Sequence, residues 1–114
     1  MLEVDMVVGV PVVTAPEEID LTNVPGLRAA LQEAAATGAP ALVVDMTRTR
    51  FCDSAGLRVL VDAQKPAVAE GGAVLLAVPA AAVLRVLEIT GIDQVIPHFA
   101  SLDEAVTHAT GSPG

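Results

Sequence analysis

The chain has no tryptophan and no tyrosine, only two phenylalanines, and one cysteine among 114 residues. With Cys52 alone, no internal disulfide can form. Basic residues are scarce as well. Six Lys and Arg stand against fourteen Asp and Glu, for a formal net charge of −8. A surface of that sign repels phosphate backbones, and two phenylalanines offer little to stack on bases, so nucleic acid is excluded as a partner. No basic-then-apolar segment opens the chain and no apolar run is long enough to span a bilayer. A soluble cytoplasmic protein without a membrane partner is expected. Gly71-Gly72 is the only paired glycine and reads as a helix stop, not as a phosphate-binding loop.

What is present is apolar and small. Hydrophobic residues make up 53% of the chain, mostly Ala, Val and Leu, which suits thin helices packed on a valine-rich sheet. The length fits one domain, here residues 1–110, followed by a flexible tail at 111–114. Leu2 to Val8 and Val10 to Thr14 read as two strands at or near a sheet edge, turning at Gly9; Pro11 favours an edge or a strand start. Pro16 to Asp20 reads as an acidic loop. Asn23 is a candidate N-cap with Pro25 just inside its helix, and Leu27, Ala30, Leu31 and Ala34 form the buried stripe. Ala73 to Val78 is a second buried strand. A helix follows from Pro79 to Leu87 and ends at Gly91. A short strand lies around Ile96 to Phe99, and Ser101-Leu102-Asp103-Glu104 is a capping box for the last helix. Strand and helix alternate from Asn23 onward, so most of the sheet should be parallel.

Ala41 to Val61 organises the rest. Ala41 to Val44 reads as a strand buried on both faces. Leu57, Leu60 and Val61 read as a helix, which Pro66 kinks or ends. Between them runs a polar loop that ends in Asp53-Ser54-Ala55-Gly56. Ser54 stands where an N-cap is expected, and a serine there needs no further function. A hydroxyl at a helix N-terminus also lies beside free N–H groups and the positive end of the dipole, where a phosphate is tolerated. Cys52 reads as a small buried hydrophobe, since an acidic neighbour does not favour a thiolate.

The longer pattern is Asp45-x-Thr47, then Phe51, then Asp53-Ser54-x-Gly56-Leu57. It resembles the signature of the STAS domain family, the anti-sigma factor antagonists in particular. Glu18-Ile19-Asp20, the run at Gly91 and the run from Ser101 resemble the family too, so the likeness covers nearly the whole chain. Glu17 replaces the family's glycine, which leaves the local turn an open question. The resemblance implies an α/β domain: a mixed, mostly parallel sheet of four or five strands, with about four helices packed mainly on one side. It implies that Ser54 is a phosphorylation switch and that the protein is not an enzyme and needs no cofactor. The unphosphorylated form would bind an anti-sigma factor serine kinase of the histidine-kinase-like ATPase fold and release a sigma factor. A serine phosphatase would reset it. The expected partner surface comprises Asp20, Asn23, Thr47, Arg48, Thr49, Arg50, Asp53, Ser54, Ala55, Gly56 and Leu57. Thr47 and Thr49 are secondary phosphorylation candidates, although a hydroxyl at Thr47 bonded to the loop backbone explains that residue better. Arg48 and Arg50 would hold a phosphate or an acidic partner group, or simply be solvated.

Other chemistries fit less well. Lys65, the only lysine, lies in the wrong element for a receiver domain. A nucleophile elbow would need glycine at the position of Cys52, and neither His98 nor His108 has a motif linking it to Ser54. Asp20, Asp45 and Asp53 match no metal-loop spacing. The second functional class kept open is a non-catalytic partner subunit or scaffold of an ATPase or stress-signalling assembly, in which Ser54 is a cap only.

Overall fold

The computed structural model describes residues 2–111, so most of the expected tail, 112–114, lies outside the described residues. Five strands build the main sheet. Strands β1 (Val4–Val7), β2 (Val10–Thr14), β4 (Ala41–Asp45), β6 (Ala73–Ala77) and β7 (His98–Phe99) lie in that spatial order. Only β1 with β2 is antiparallel; β2–β4, β4–β6 and β6–β7 are parallel. The hairpin turns at Val8 and Gly9, with φ of 51° and 79°, as a two-residue turn between right-twisted strands requires. As expected, the two first strands lie at or near an edge: β1 is the edge strand and β2 the next one in. Pro11 is accommodated because the ladder with β4 begins one residue later, at Val12, so its missing N–H costs no bond to β4.

Alternation within the strands sorts side chains to two faces. Val13, Val44, Leu76 and their neighbours meet helices α1 (Val24–Ala35), α2 (Ser54–Ala69) and α3 (Ala81–Thr90). Val12, Val43 and Leu75 meet α4 (Leu102–Ala109) on the other face, through Ala105 and Val106. Three helices therefore cover one side and a single short helix the other. Pro66 sits inside α2 without ending it. Gly91, with φ of 78°, caps α3.

Two features matter for the candidate site. Glu18–Ile19 is not loop but a short strand, β3, which pairs in parallel with β5 (Phe51–Cys52) as a separate two-stranded ladder. The other feature is Gln64, 2% exposed. Its side chain accepts from Val74 N–H at 2.6 Å and donates to the carbonyls of Val74 and Val95, each at 3.2 Å. That clasp ties α2 to the sheet, and its position i+4 from Leu60 on the buried stripe was the signal for it.

Candidate functional site

At the carboxyl ends of the strands, three aspartates turn the chain. Asp20 Oδ1 accepts from Thr22 N–H at 2.9 Å, Asp45 Oδ1 from Thr47 N–H at 3.0 Å, and Asp53 Oδ1 from Ala55 N–H at 2.9 Å. Each carboxylate is folded back on the chain two residues ahead, a local turn that favours Asp after a strand. The hydroxyl of Thr22 also donates to Asp20, and the two bonds from Thr22 hold the Asp20 carboxyl below its ordinary value. The Thr47 hydroxyl donates to Asp45 at 2.6 Å. Its partner is thus a carboxylate and not the loop backbone. The aspartates do not converge; among the described residues no group of three or more His, Cys, Asp or Glu is placed to hold a metal.

The segment before α2 is strapped to residues 16–19. Arg50 N–H donates to Glu17 O at 2.7 Å, Asp53 N–H to Ile19 O at 3.0 Å, and the Thr49 hydroxyl to Pro16 O at 2.8 Å. Glu17 makes this turn without a positive φ, so the family's glycine is not needed here. The inner residues of the ladder, Ile19 and Cys52, face the first turn of α2. A Cβ on Gly56 would come within 2.5 Å of Ile19 Cγ2 and 2.8 Å of Cys52 Sγ. Only glycine lets the helix start this close to the ladder. Cys52 is 5% exposed, and burial together with the Asp53 charge pushes its thiol up to about 12. It is an inert wall of the core, as its sequence context suggested.

The cap of α2 departs from expectation. Asp53, not Ser54, is the N-cap: it has φ −85° and ψ −179°, and its carboxylate takes the N–H groups of both Ala55 and Gly56. Ser54 is the first residue of the helix and is exposed, with its hydroxyl free of capping duty. The difference of one residue arises because pairing of Asp53 N–H with Ile19 O holds residue 53 extended. Asn23 likewise occupies the cap position of α1 but makes no side-chain cap bond. Its amide instead donates to Glu18 O at 2.7 Å and its carbonyl accepts from Asp20 N–H at 2.9 Å, so it fixes the β3 turn.

Of the expected surface, Asp20, Asn23, Thr47, Arg48, Arg50, Asp53, Ser54 and Ala55 are exposed or half-buried. Three members are buried in the free chain: Thr49 is 1% exposed and Leu57 6% exposed, while Gly56 lies under the ladder. The strap to Pro16 draws Thr49 inward, and the helical period turns Leu57 to the core. Phe51, within the loop from Arg48 to Asp53, is 52% exposed, and Leu21, which was not expected there, is 74% exposed.

A family model described as the STAS domain matches residues 1–105. The anti-sigma-F factor antagonist RsfB of Mycobacterium tuberculosis is 30% identical over 105 residues, covering 90% of this chain and 84% of RsfB. A crystal structure of an anti-sigma factor antagonist from Mycobacterium paratuberculosis superposes with a TM-score of 0.83 at 29% identity, over 96% of this chain and 93% of that one. SpoIIAA of Bacillus, 22% identical, shares the fold: its unphosphorylated form superposes with a TM-score of 0.81 over all of both chains. Its phosphorylated form gives 0.70, over 95% of this chain and 98% of that one.

Proposed function

The chain belongs to the STAS domain family, and from that membership we propose that it is an anti-sigma factor antagonist switched by phosphorylation of Ser54. In this reading the unphosphorylated protein binds an anti-sigma factor kinase and frees a sigma factor. Phosphorylation of Ser54 separates the pair and a serine phosphatase restores it. The chain itself performs no catalytic step. The observation that carries the reading is the division of labour at the start of α2: Asp53 caps and Ser54 does not.

That division decides what a phosphate would do. With Asp53 already on the N–H groups of Ala55 and Gly56, a phosphate on Ser54 finds no empty anion site at the helix end. It adds about two negative charges next to a carboxylate that is already there. The helix dipole offsets part of this by attraction. The added charge stays on the surface, so its effect falls on whatever touches that surface. A partner contact there loses through desolvation and repulsion. The switch is therefore one of affinity with the fold unchanged.

The test compares the wild type, Ser54→Ala and Ser54→Asp as baits, followed by calorimetric titration of the retained anti-sigma factor after purification. Wild type and Ser54→Ala should bind alike, and Ser54→Asp should bind at least about 100-fold more weakly, in line with a buried charge left unpaired at an interface. All three should melt within a few degrees of one another. Equal binding by all three would remove the switch and favour the partner-subunit or scaffold role.

A further inference from the structure

The chain has two aromatic residues, and one of them, Phe51, is set on the surface. The reason is the two-residue period of the β3–β5 ladder. Cys52 and Ile19 fill the inner face, so Phe51 and its neighbour in register, Glu18, must point outward. Apolar aromatic area is ordinarily buried, so an exposed ring on the surface that carries Ser54 is a candidate contact. A second exposed apolar side chain, Leu21, follows β3 by two residues, at the same end of the sheet as Ser54.

The charges near Phe51 are of both signs: Glu18 is its register partner, Glu17 and Asp53 flank the ladder, and two arginines stand among these acids. In a chain with only six basic residues, Arg48 and Arg50 both fall in the loop that leads into Phe51. Both are exposed, and neither joins an ion pair among the described residues. Guanidinium groups free to pair at a rim suit carboxylates on a facing surface.

We infer that Leu21 and Phe51 are the apolar anchors by which this surface docks on the anti-sigma factor, entering an apolar socket whose rim carries carboxylates facing Arg48 and Arg50. The inference rests on the function proposed above and specifies its partner surface. It also explains why a phosphate at Ser54 breaks the contact. The new charge would be placed between an apolar socket, which desolvates it, and an acidic rim, which repels it. Anchors of this kind carry most of the energy of an interface, while surrounding contacts exclude water.

The test uses the full chain and the purified anti-sigma factor retained by the wild type in the experiment above. Phe51→Ala should weaken binding at least roughly 30-fold and Leu21→Ala at least roughly 5-fold, within the range for buried anchors. Phe51→Leu should restore most of the loss, because an apolar residue still enters the socket. Arg48→Glu with Arg50→Glu should slow association and reverse its salt dependence. Val68→Ala serves as the control: Val68 is 55% exposed near the opposite end of α2 and should bind as the wild type does. Thermal melts confirm that each variant is folded, which the exposure of Phe51 and Leu21 leads one to expect. If Ser54→Asp abolishes binding while Phe51→Ala and Leu21→Ala leave it unchanged, the proposed function stands and the anchor assignment falls. Binding that is insensitive to Ser54→Asp but lost with Phe51→Ala keeps the anchors and removes the switch. A loss with Val68→Ala equal to that with Phe51→Ala overturns the anchor assignment.

Discussion

Two helices of this protein begin beside a serine, and the two serines are used in opposite ways. At α4, Ser101 is the cap: its hydroxyl accepts from Glu104 N–H at 3.1 Å and donates to the Glu104 carboxylate at 3.3 Å. Any modification of that hydroxyl removes a structural bond. At α2, Asp53 holds the two N–H groups and Ser54 is one residue inside, exposed. A group added to Ser54 breaks nothing. The lesson is that a helix start is suited to reversible modification when a second residue already does the capping.

The two helix starts also differ in what lies beneath them, and the largest expected effect tests that difference. Gly56→Ala places a methyl group 2.5 Å from Ile19 Cγ2, closer than carbon atoms tolerate. Overpacking of this kind should cost about 1–3 kcal/mol in urea or guanidinium unfolding. A variant as stable as the wild type would show that α2 does not depend on this close approach.

The caps give the sharpest comparison. Asp53→Ala and Ser101→Ala should each cost about 1 kcal/mol, the usual loss for a capping side chain. Ser54→Ala should stay within about 0.5 kcal/mol of the wild type, as an exposed substitution away from such features does. Equal losses at Ser54 and Ser101 would erase the distinction between the two sites.

The smallest effect concerns pH. Cys52, under the α2 start, has its thiol raised from 9.0 to about 12 in the folded protein. Below pH 9 the thiol is neutral in both states and its contribution is fully present. As pH rises from about 9 towards 12 the unfolded thiol ionises first, so stability falls over that window. The stability difference between the wild type and Cys52→Ala should shrink there, and a thiol reagent should label Cys52 only on unfolding. Rapid labelling of the native protein at neutral pH would contradict the burial. Ser101 has no titrating neighbour of this kind beneath it, so its variant should show no such window.

The comparison also shows where sequence reasoning reached and where it stopped. Ala41 to Val44 and Ala73 to Val78 announce buried strands because they are apolar without interruption, and the structure has β4 and β6 there. The capping box at Ser101 was legible because all of its parts lie within four residues. At Asp53-Ser54 the same rule was ambiguous: both residue types cap well, and nothing local separates them. A bond from Asp53 N–H to Ile19 O, far back in the chain, made the choice. Thr49 looked like a loop threonine until its hydroxyl was found on Pro16 O, 33 residues away. Phe51 belonged to the recognised motif, yet its outward direction depends on pairing with Glu18 in a strand that the acidic composition had concealed.

By itself, then, the sequence determined the helices and the strands of the main sheet, their order, the apolar faces and the identity of the site segment. These follow from periodicity and from chemistry within a turn or two of chain. Which carboxylate caps α2, which loop hydroxyl is buried, and which apolar side chains are left in solvent were decided by the tertiary structure alone. Each depends on the β3–β5 ladder, and a ladder of two residues per strand is too short to leave a periodic signal. It exists because Ile19 and Cys52 bury together against Gly56, a contact among three segments that only the folded chain brings to one place.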